Sequence, residues 1–314
     1  MTILLVFKTM LTLFLVCVAG YVGRKLGIID SDFSKKLSAF VVKIAQPFLI
    51  LTAILSTEYS SENLALGFGT LLLGILCHGV LAVFAAIYTR RIKNVNEAKM
   101  TNYCIIFSNA GFIGLPVVGA LLGEKGLFCC AFYQISFNLF VWSYGMYMLG
   151  RGRDDIKMNP KKMIINYGTP SCIIGLILYV LKPYFVLPEF LTGAFDYLGS
   201  MCTPLTQIII GGLLATRSIV PLLKSAKLYV FTFAKLILFP CLAAVVCRLV
   251  GADTFITMFT VTMVALPCAT NAAMFGELYD IEPEYAAQLV GVTTVLSVLT
   301  IPAVLYITEL ILKI

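Results

Sequence analysis

One short stretch of the sequence combines residue types that an ordinary helix does not contain side by side. It reads Ser108-Asn109-Ala110-Gly111-Phe112-Ile113-Gly114-Leu115-Pro116. Proline removes a backbone hydrogen bond and disfavours helical geometry at the residue before it. We therefore expect an interrupted helix here, with free N–H groups at the start of its second half, next to the side-chain amide of Asn109. The N-terminus of a helix attracts anions, so this stretch predicts a binding site for one.

A second stretch, Leu266-Pro267-Cys268-Ala269-Thr270-Asn271, has a similar composition. Each stretch is followed by a Gly-Glu pair, seven residues after Pro116 and nine after Pro267. We expect two interrupted helices to meet and to form one site from both stretches. The alternative is a pair of plain proline kinks. The predicted site residues of the two stretches are Asn109, Gly111, Gly114, Pro116, Pro267, Thr270 and Asn271.

Other polar residues within apolar stretches are further candidates. His78 and Lys235 lie deep in such stretches, Lys43 lies less deep, and no Asp or Glu does. Ionisable groups inside a membrane are costly and mostly functional. A positively charged interior favours an anionic ligand. Snorkelling to the membrane surface is the alternative for the two lysines, and hydrogen bonding between helices is the alternative for His78.

Gln134 and Asn138 stand four residues apart and share one helix face. They could line the path of a solute. Polar side chains of this kind also hold membrane helices together by hydrogen bonds, so this alternative stays open.

The elements that position these residues must be membrane-spanning helices. Of the 314 residues 60% are hydrophobic and only 12% are charged, and the mean hydropathy is +0.96. Soluble domains contain about 25% charged residues, so much of this surface must face lipid. A spanning helix needs ~20 apolar residues, and ten such runs leave no room for a separate soluble domain. The predicted spans are 3–23, 37–55, 66–88, 101–123, 126–149, 164–182, 193–216, 226–250, 255–276 and 286–308.

The positive charges of the loops predict the orientation. The loops after spans 1, 3, 5 and 7 contain most of them: Arg24, Lys25, Lys35, Lys36, Arg90, Arg91, Lys93, Lys99, Arg151, Arg153, Lys157, Lys161, Lys162, Arg217, Lys224 and Lys227. The loops after spans 2, 4, 6 and 8 contain only Lys125, Lys182 and Arg248. Because positive loops stay in the cytoplasm, we expect a multi-pass protein of the cytoplasmic membrane with both termini outside. The acidic loop after span 9 is an exception to the pattern.

The two interrupted helices occupy corresponding places in an internal repeat. Spans 4 and 9 are each fourth in a set of five, and an odd number of spans inverts the second set in the membrane. We therefore predict two inverted five-helix repeats, residues 1–157 and 158–314, an architecture found in many secondary carriers.

Several classes of protein are not expected. The net charge of +7 is spread over short loops, which argues against a nucleic-acid partner. The ten cysteines lie in apolar stretches without a C-x-x-C pair, and His78 is the single histidine, so we expect no metal or cofactor. No dinucleotide-binding, P-loop or H-E-x-x-H pattern occurs, and an enzyme is therefore not expected.

The stretch from Asn109 to Pro116 resembles the N-x-G-F-x-G-x-P signature of the auxin efflux carrier family, whose bacterial members are described as transporters of auxin or of malate and malonate. The resemblance extends over the whole chain. Asn109, Gly111, Gly114 and Pro116 match the first crossover of that family, and Pro267 and Asn271 match the second more loosely.

The resemblance implies the wider bile-acid/sodium symporter-like fold. Spans 1, 2, 6 and 7 would form a scaffold, and spans 3–5 and 8–10 would form a transport domain that moves like an elevator. The broken helices would cross at the substrate site, and two copies would pair through helices 2 and 7.

The sequence departs from the plant members in the loop between spans 5 and 6. That loop is long in the plant proteins, whereas here it covers only residues 150–163. A small carboxylate is therefore favoured over auxin, and we expect a secondary carrier of organic anions. A sodium-coupled symporter with the oxygens of Gln134, Asn138 and Asn271 around the ion is one alternative, although no carboxylate lies inside the membrane to help. A solute-sensing receptor is another.

Overall fold

The computed structural model describes residues 2–153, 156, 168–215 and 226–313. Within these ranges the regular structure is helical, apart from a single backbone bridge between Ser108 and Cys268. The predicted boundary at 157/158 lies outside the described residues. The same holds for five of the loop charges, namely Lys157, Lys161, Lys162, Arg217 and Lys224.

The described residues of the first half of the chain form six helices, in which one continuous helical run, Ala110–Gly150, is divided at Gly123. The helices are α1 (Thr2–Lys25), α2 (Ser31–Leu55), α3 (Ser61–Thr89), α4 (Val95–Ile106), α5 (110–122) and α6 (124–150).

Within the described part of the second half there are six more helices: α7 (Thr169–Leu181), α8 (Glu189–Ala215), α9 (226–249), α10 (Thr254–Ala265), α11 (Asn271–Leu278) and α12 (Pro283–Lys313).

The chain reverses direction at Gly123. This residue has φ 65° and ψ −157°, a backbone conformation that glycine adopts without strain. A Cβ atom on Gly119 would lie 3.2 Å from the side chain of Leu127. Eight residues of a straight helix would separate these positions by about 12 Å, so α5 and α6 form a hairpin.

Seven helical segments of the described chain are long and apolar enough to cross a membrane, and Ala110–Gly150 is one of them. α7 and α10 are apolar but shorter. The expectation of an all-helical integral membrane protein is confirmed at this level.

Three helices widen to π-helical turns just before a proline. The proline lacks an N–H group, so the carbonyl one turn earlier loses its usual donor and the turn can widen. The widened segments are Val41–Ala45 before Pro47, Ala110–Gly114 before Pro116 and Ala234–Leu238 before Pro240.

Close packing joins α1 to α8. A Cβ atom on Gly211 of α8 would clash with the carbonyl oxygen of Cys17 in α1. In lipid, helices associate through such close approach at small residues more than through the hydrophobic effect. A separate apolar cluster joins α1, α5, α6, α10 and α12, and places the interrupted helices in the interior of the bundle.

Candidate functional site

The two interrupted helices meet in the interior. α4 ends at Ile106 before α5 begins, and α10 ends at Ala265 before α11 begins. The backbone N–H of Asn109 donates to the carbonyl of Pro267 (2.8 Å), and the N–H of Ala269 donates to the carbonyl of Phe107 (2.9 Å). We call residues 107–109 and 267–269 the crossing. Each segment satisfies backbone groups that the other leaves open, which lipid could not do.

The two prolines hold different places relative to the crossing. Pro267 lies in it, and Leu266 before it is extended (φ −59°, ψ 147°), as a residue before proline should be. Pro116 instead lies inside the hairpin, in the first turn after the π-helical segment of α5. The first interruption therefore falls at residues 107–109, before Gly111 and Pro116, and the two Leu-Pro pairs are not structurally equivalent.

Side chains also connect the two halves at the crossing. The amide of Asn109 donates to the hydroxyl of Thr270 across 3.0 Å, and both residues are buried. Asn271 is half-buried and begins α11. The first N–H groups of a helix have no acceptor within that helix. In this structure some of them donate to residues just before it, as Ala110 does to the carbonyl of Ser108 and Ala272 does to that of Ala269. Two helix N-termini, each with about half a positive charge, thus lie beside these polar side chains.

The glycines of α5 let amide side chains come close to its first turn. A Cβ atom on Gly111 would lie 2.8 Å from Nε2 of Gln46 and 3.3 Å from Oε1 of Gln134. A Cβ atom on Gly114 would lie 2.9 Å from the side chain of Leu266. The glycines therefore permit contacts with α2, with α6 and with the crossing.

Gln134 and Asn138 form a weak pair on α6. Nε2 of Gln134 donates to Oδ1 of Asn138 at 3.5 Å. Nδ2 of Asn138 is buried and has no hydrogen-bond partner among the described residues. A buried donor without an acceptor costs about 1–3 kcal/mol, so an acceptor oxygen from a ligand would be stabilised here.

Lys235 lies against the crossing. Its side chain is fully buried, and Nζ donates to the carbonyl of Ile105 (3.0 Å) and to Oγ of Ser108 (2.8 Å). The side chain does not extend to the membrane surface, as the snorkelling alternative would require.

His78 lies beside the aromatic ring of Phe107, which belongs to the crossing. Its Nδ1 donates to the carbonyl of Gly74 in its own helix (2.6 Å). The ring stacks on Phe140 at 5.2 Å and lies 6.0 Å from the ring of Phe107. The structure therefore surrounds His78 with aromatic side chains.

A cavity of about 820 Å³ opens between α1, α2, α8 and α11. Small-molecule sites measure about 300–1,000 Å³. The lining includes Lys43 and Met274. Lys43 lies three residues, or about one helical turn, from Gln46, and Met274 lies equally far along the chain from Asn271. The polar lining residues are Arg24, Ser31, Ser34, Lys35, Ser38, Lys43 and Glu277. Three basic side chains against one acidic side chain favour an anion in this cavity.

Three residues of the site were not among the predicted ones. Ser108 accepts the bond from Lys235, Gln46 lies against Gly111, and Thr293 accepts a bond from the backbone N–H of Cys268 (3.1 Å). Ser108 adjoins Asn109, and Gln46 adjoins Pro47, so both positions could have been suspected from the sequence. Thr293 comes from α12, and only the packing of that helix identifies it.

Two comparisons with known proteins bear on this geometry. A family model described as "Membrane transport protein" matches residues 5–166 and 151–305. Together these matches cover nearly the whole chain.

Three curated proteins are similar along almost their full length. An uncharacterized transporter of Methanocaldococcus jannaschii is 24% identical, covering 93% of this chain and 95% of its own. An uncharacterized transporter of Methanothermobacter thermautotrophicus is 22% identical, with 94% and 96% covered. A protein of Rhizobium meliloti with the name "Putative malonate transporter" is 25% identical, with 91% of each chain covered.

Proposed function

The chain belongs to the membrane transport protein family, which is the auxin efflux carrier family that its sequence resembles, and from this premise we propose that it is a secondary carrier of a small organic anion. It is a transporter and not an enzyme. The observation that carries the proposal is the crossing, where two helix N-termini begin beside Asn109, Thr270 and Asn271. The name of the Rhizobium relative favours a small dicarboxylate such as malonate or malate.

The groups around the crossing suit a carboxylate. Carboxylate oxygens only accept hydrogen bonds, and the helix N-termini and the amides of Asn109 and Asn271 can donate them. Among the described residues no Asp or Glu is buried, so no negative charge in the interior opposes an anion. The basic lining of the cavity would raise the local concentration of the anion before the anion reaches the crossing.

The proposed architecture is ten spans in two inverted repeats. α4 with α5 would make one span and α10 with α11 another, because each pair continues through the crossing. α1, α2, α7 and α8 would form the scaffold. α3 to α6 and α9 to α12 would form the transport domain. The close contact of α1 with α8 and the direct bonds between α4–α5 and α10–α11 support this division.

The proposed mechanism is an elevator-like movement of the transport domain against the scaffold. The cavity lies between the two, because α1, α2 and α8 line one side and α11 lines the other. Arg24 and Lys35 at its rim belong to loops that the charge pattern assigns to the cytoplasm. With both termini on the outer side of the cytoplasmic membrane, the cavity in this conformation would open to the cytoplasm.

A homodimer through α2 and α8 is part of the proposal. Phe190, Tyr197 and Met201 share one face of α8 and are exposed, which suits contact with lipid or with a second copy. Cysteine cross-linking of a Tyr197→Cys variant in native membranes tests it. A cross-linked species of twice the monomer mass is expected, and its absence would argue against this interface.

Counterflow in proteoliposomes tests the function. Vesicles loaded with unlabelled malonate, malate, succinate or indole acetate should accumulate the labelled compound, and malonate or malate should give the highest rate. No flux with any of the four would overturn the carrier assignment. Binding without flux would indicate a receptor, and flux that requires a sodium gradient would indicate a sodium symporter.

A matched pair of variants connects the flux to the crossing. Asn109→Ala should abolish most of the flux, because it removes an amide donor at the proposed site. Asn63→Ala removes a half-buried asparagine that bonds to the carbonyl of Glu58, and it should transport like the unmodified protein. Equal rates for both variants would place the substrate away from the crossing.

A further inference from the structure

Where the structure describes the chain, basic side chains cap the C-terminal ends of four helices. Nζ of Lys99 donates to the carbonyl of Leu149 at the end of α6, and Nζ of Lys182 donates to that of Leu55 at the end of α2. Arg153 donates to the carbonyl of Tyr279 after α11. Nζ of Lys235 donates to the carbonyl of Ile105 at the end of α4, in the interior of the bundle. The negative end of a helix dipole favours a cation at each of these places.

Lys235 differs from the other three in where its helix ends. α4 ends at the crossing, between two halves of an interrupted helix, and Lys235 is fully buried there. Its acceptors are a carbonyl and a hydroxyl, both neutral. The ion pairs of the described residues involve lysines elsewhere, such as Lys36 with Asp32 and Lys125 with Glu62. Among the described residues no carboxylate pairs with the ammonium group of Lys235, and the thiols of Cys104 and Cys268 lie near it.

Carbonyl and hydroxyl oxygens at the C-terminal end of a half-helix are the ligands that a transported sodium ion uses in carriers with interrupted helices. A sodium ion and an ammonium group each carry one positive charge, and both bind carbonyl and hydroxyl oxygens. The ammonium of Lys235 already occupies this position and is covalently attached to α9.

We propose that Lys235 is a resident cation that takes the place of a free co-transported cation at the crossing. This inference rests on the proposed carrier function. Lys235 would hold Ile105 and Ser108 in position, and its charge would stabilise an anion bound at the neighbouring helix N-termini. Transport would then need no sodium, and removal of the side chain would leave a site for a free monovalent cation.

Thermal unfolding of the purified full-length protein tests the site without any substrate. Lys235→Ala removes the three methylene groups beyond Cβ and the ammonium group, which together correspond to n-propylammonium. We expect n-propylammonium or Na⁺ to raise the Tm of Lys235→Ala by several degrees, saturably, relative to choline at equal ionic strength. The unmodified protein should respond equally to all three cations. Lys99→Ala, which removes a cap at a membrane edge, should respond as the unmodified protein does.

The outcomes separate the inference from the proposed function. An equal cation response of all three proteins, or a sodium-specific stabilisation of the unmodified protein, would overturn the resident cation even if anion flux is normal. If Lys235→Ala does not accumulate in cells, anion uptake by the unmodified protein is measured in sodium and in choline. Uptake that needs sodium contradicts the inference, and equal uptake in the two salts agrees with it. With both proteins available, uptake by Lys235→Ala should fall at least about tenfold in choline and recover in part with n-propylammonium.

Discussion

The side-chain amide of Asn109 donates to the hydroxyl of Thr270 across 3.0 Å, although 161 residues separate the two in the chain. Asn109 directly precedes α5, and Thr270 directly precedes α11. The backbone of Asn109 also bonds to Pro267. Neither half of the chain can build this arrangement alone, because each interrupted segment takes its hydrogen-bond partners from the other.

Thr270→Val should impair both stability and transport. Valine keeps the shape of threonine but has no hydroxyl, so Nδ2 of the buried Asn109 loses its acceptor. Such a loss costs about 1–3 kcal/mol. Thermal unfolding should show a lower Tm, and counterflow should show slower uptake of malonate.

Thr270→Ser is the control for that variant. It retains the hydroxyl and should stay close to the unmodified protein in both measurements. If Thr270→Ser and Thr270→Val lose the same amount, the bond to Asn109 is not the reason for the loss.

Gly111→Ala should slow transport more than it lowers stability. The added Cβ atom would lie 2.8 Å from Nε2 of Gln46, and the flexible Gln46 side chain can move aside. Its movement would disturb the close approach of α5 to α2, across which the transport domain is proposed to move. The maximal rate of malonate uptake should fall, with a nearly unchanged Tm.

Gly79→Ala provides the comparison, because a Cβ atom there meets nothing within 4 Å. We expect full activity from it. A large drop in Tm for Gly111→Ala would show that the glycine serves folding and not movement.

Lys35→Ala should raise the KM for malonate at low ionic strength. Lys35 lines the cavity, and its charge would attract anions towards it. The difference should shrink in added salt, since the Debye length is only about 10 Å at 0.1 M. Lys36→Ala is the matched control, because Lys36 pairs with Asp32 at 2.7 Å and does not line the cavity. A salt-independent change, or the same change in Lys36→Ala, would contradict a role in attraction.

His78→Phe should leave the KM for malonate unchanged. The ring already packs among Phe107, Tyr133 and Phe140. Nδ1 bonds to the carbonyl of Gly74 in its own helix, and Oγ of Ser136 in α6 lies 3.5 Å from it. Phenylalanine is aromatic like these neighbours, so the protein should still fold with it. A KM that rises as far as it does in Asn109→Ala would instead put His78 in contact with the substrate.

The helical membrane architecture could be predicted from composition, because lipid-facing surface excludes charge along the whole chain. The sequence also pointed to both interrupted stretches. It did not decide where within Ser108–Pro116 the first break falls, because a proline in the first turns of a helix is compatible with helical geometry. In the structure the break precedes Gly111, and the glycines serve close contacts of α5.

Local properties account for what the sequence by itself determined: apolar runs predict membrane helices, and Pro, Gly and Asn predict where helices break. Those properties act between neighbours in the chain. Only the tertiary structure decided that residues 107–109 pair with 267–269, that Lys235 caps the end of α4, and that His78 is enclosed by aromatic rings. The first two contacts join residues more than a hundred positions apart, and the rings around His78 come from α6 and the crossing, so they depend on how the helices pack and not on any one segment.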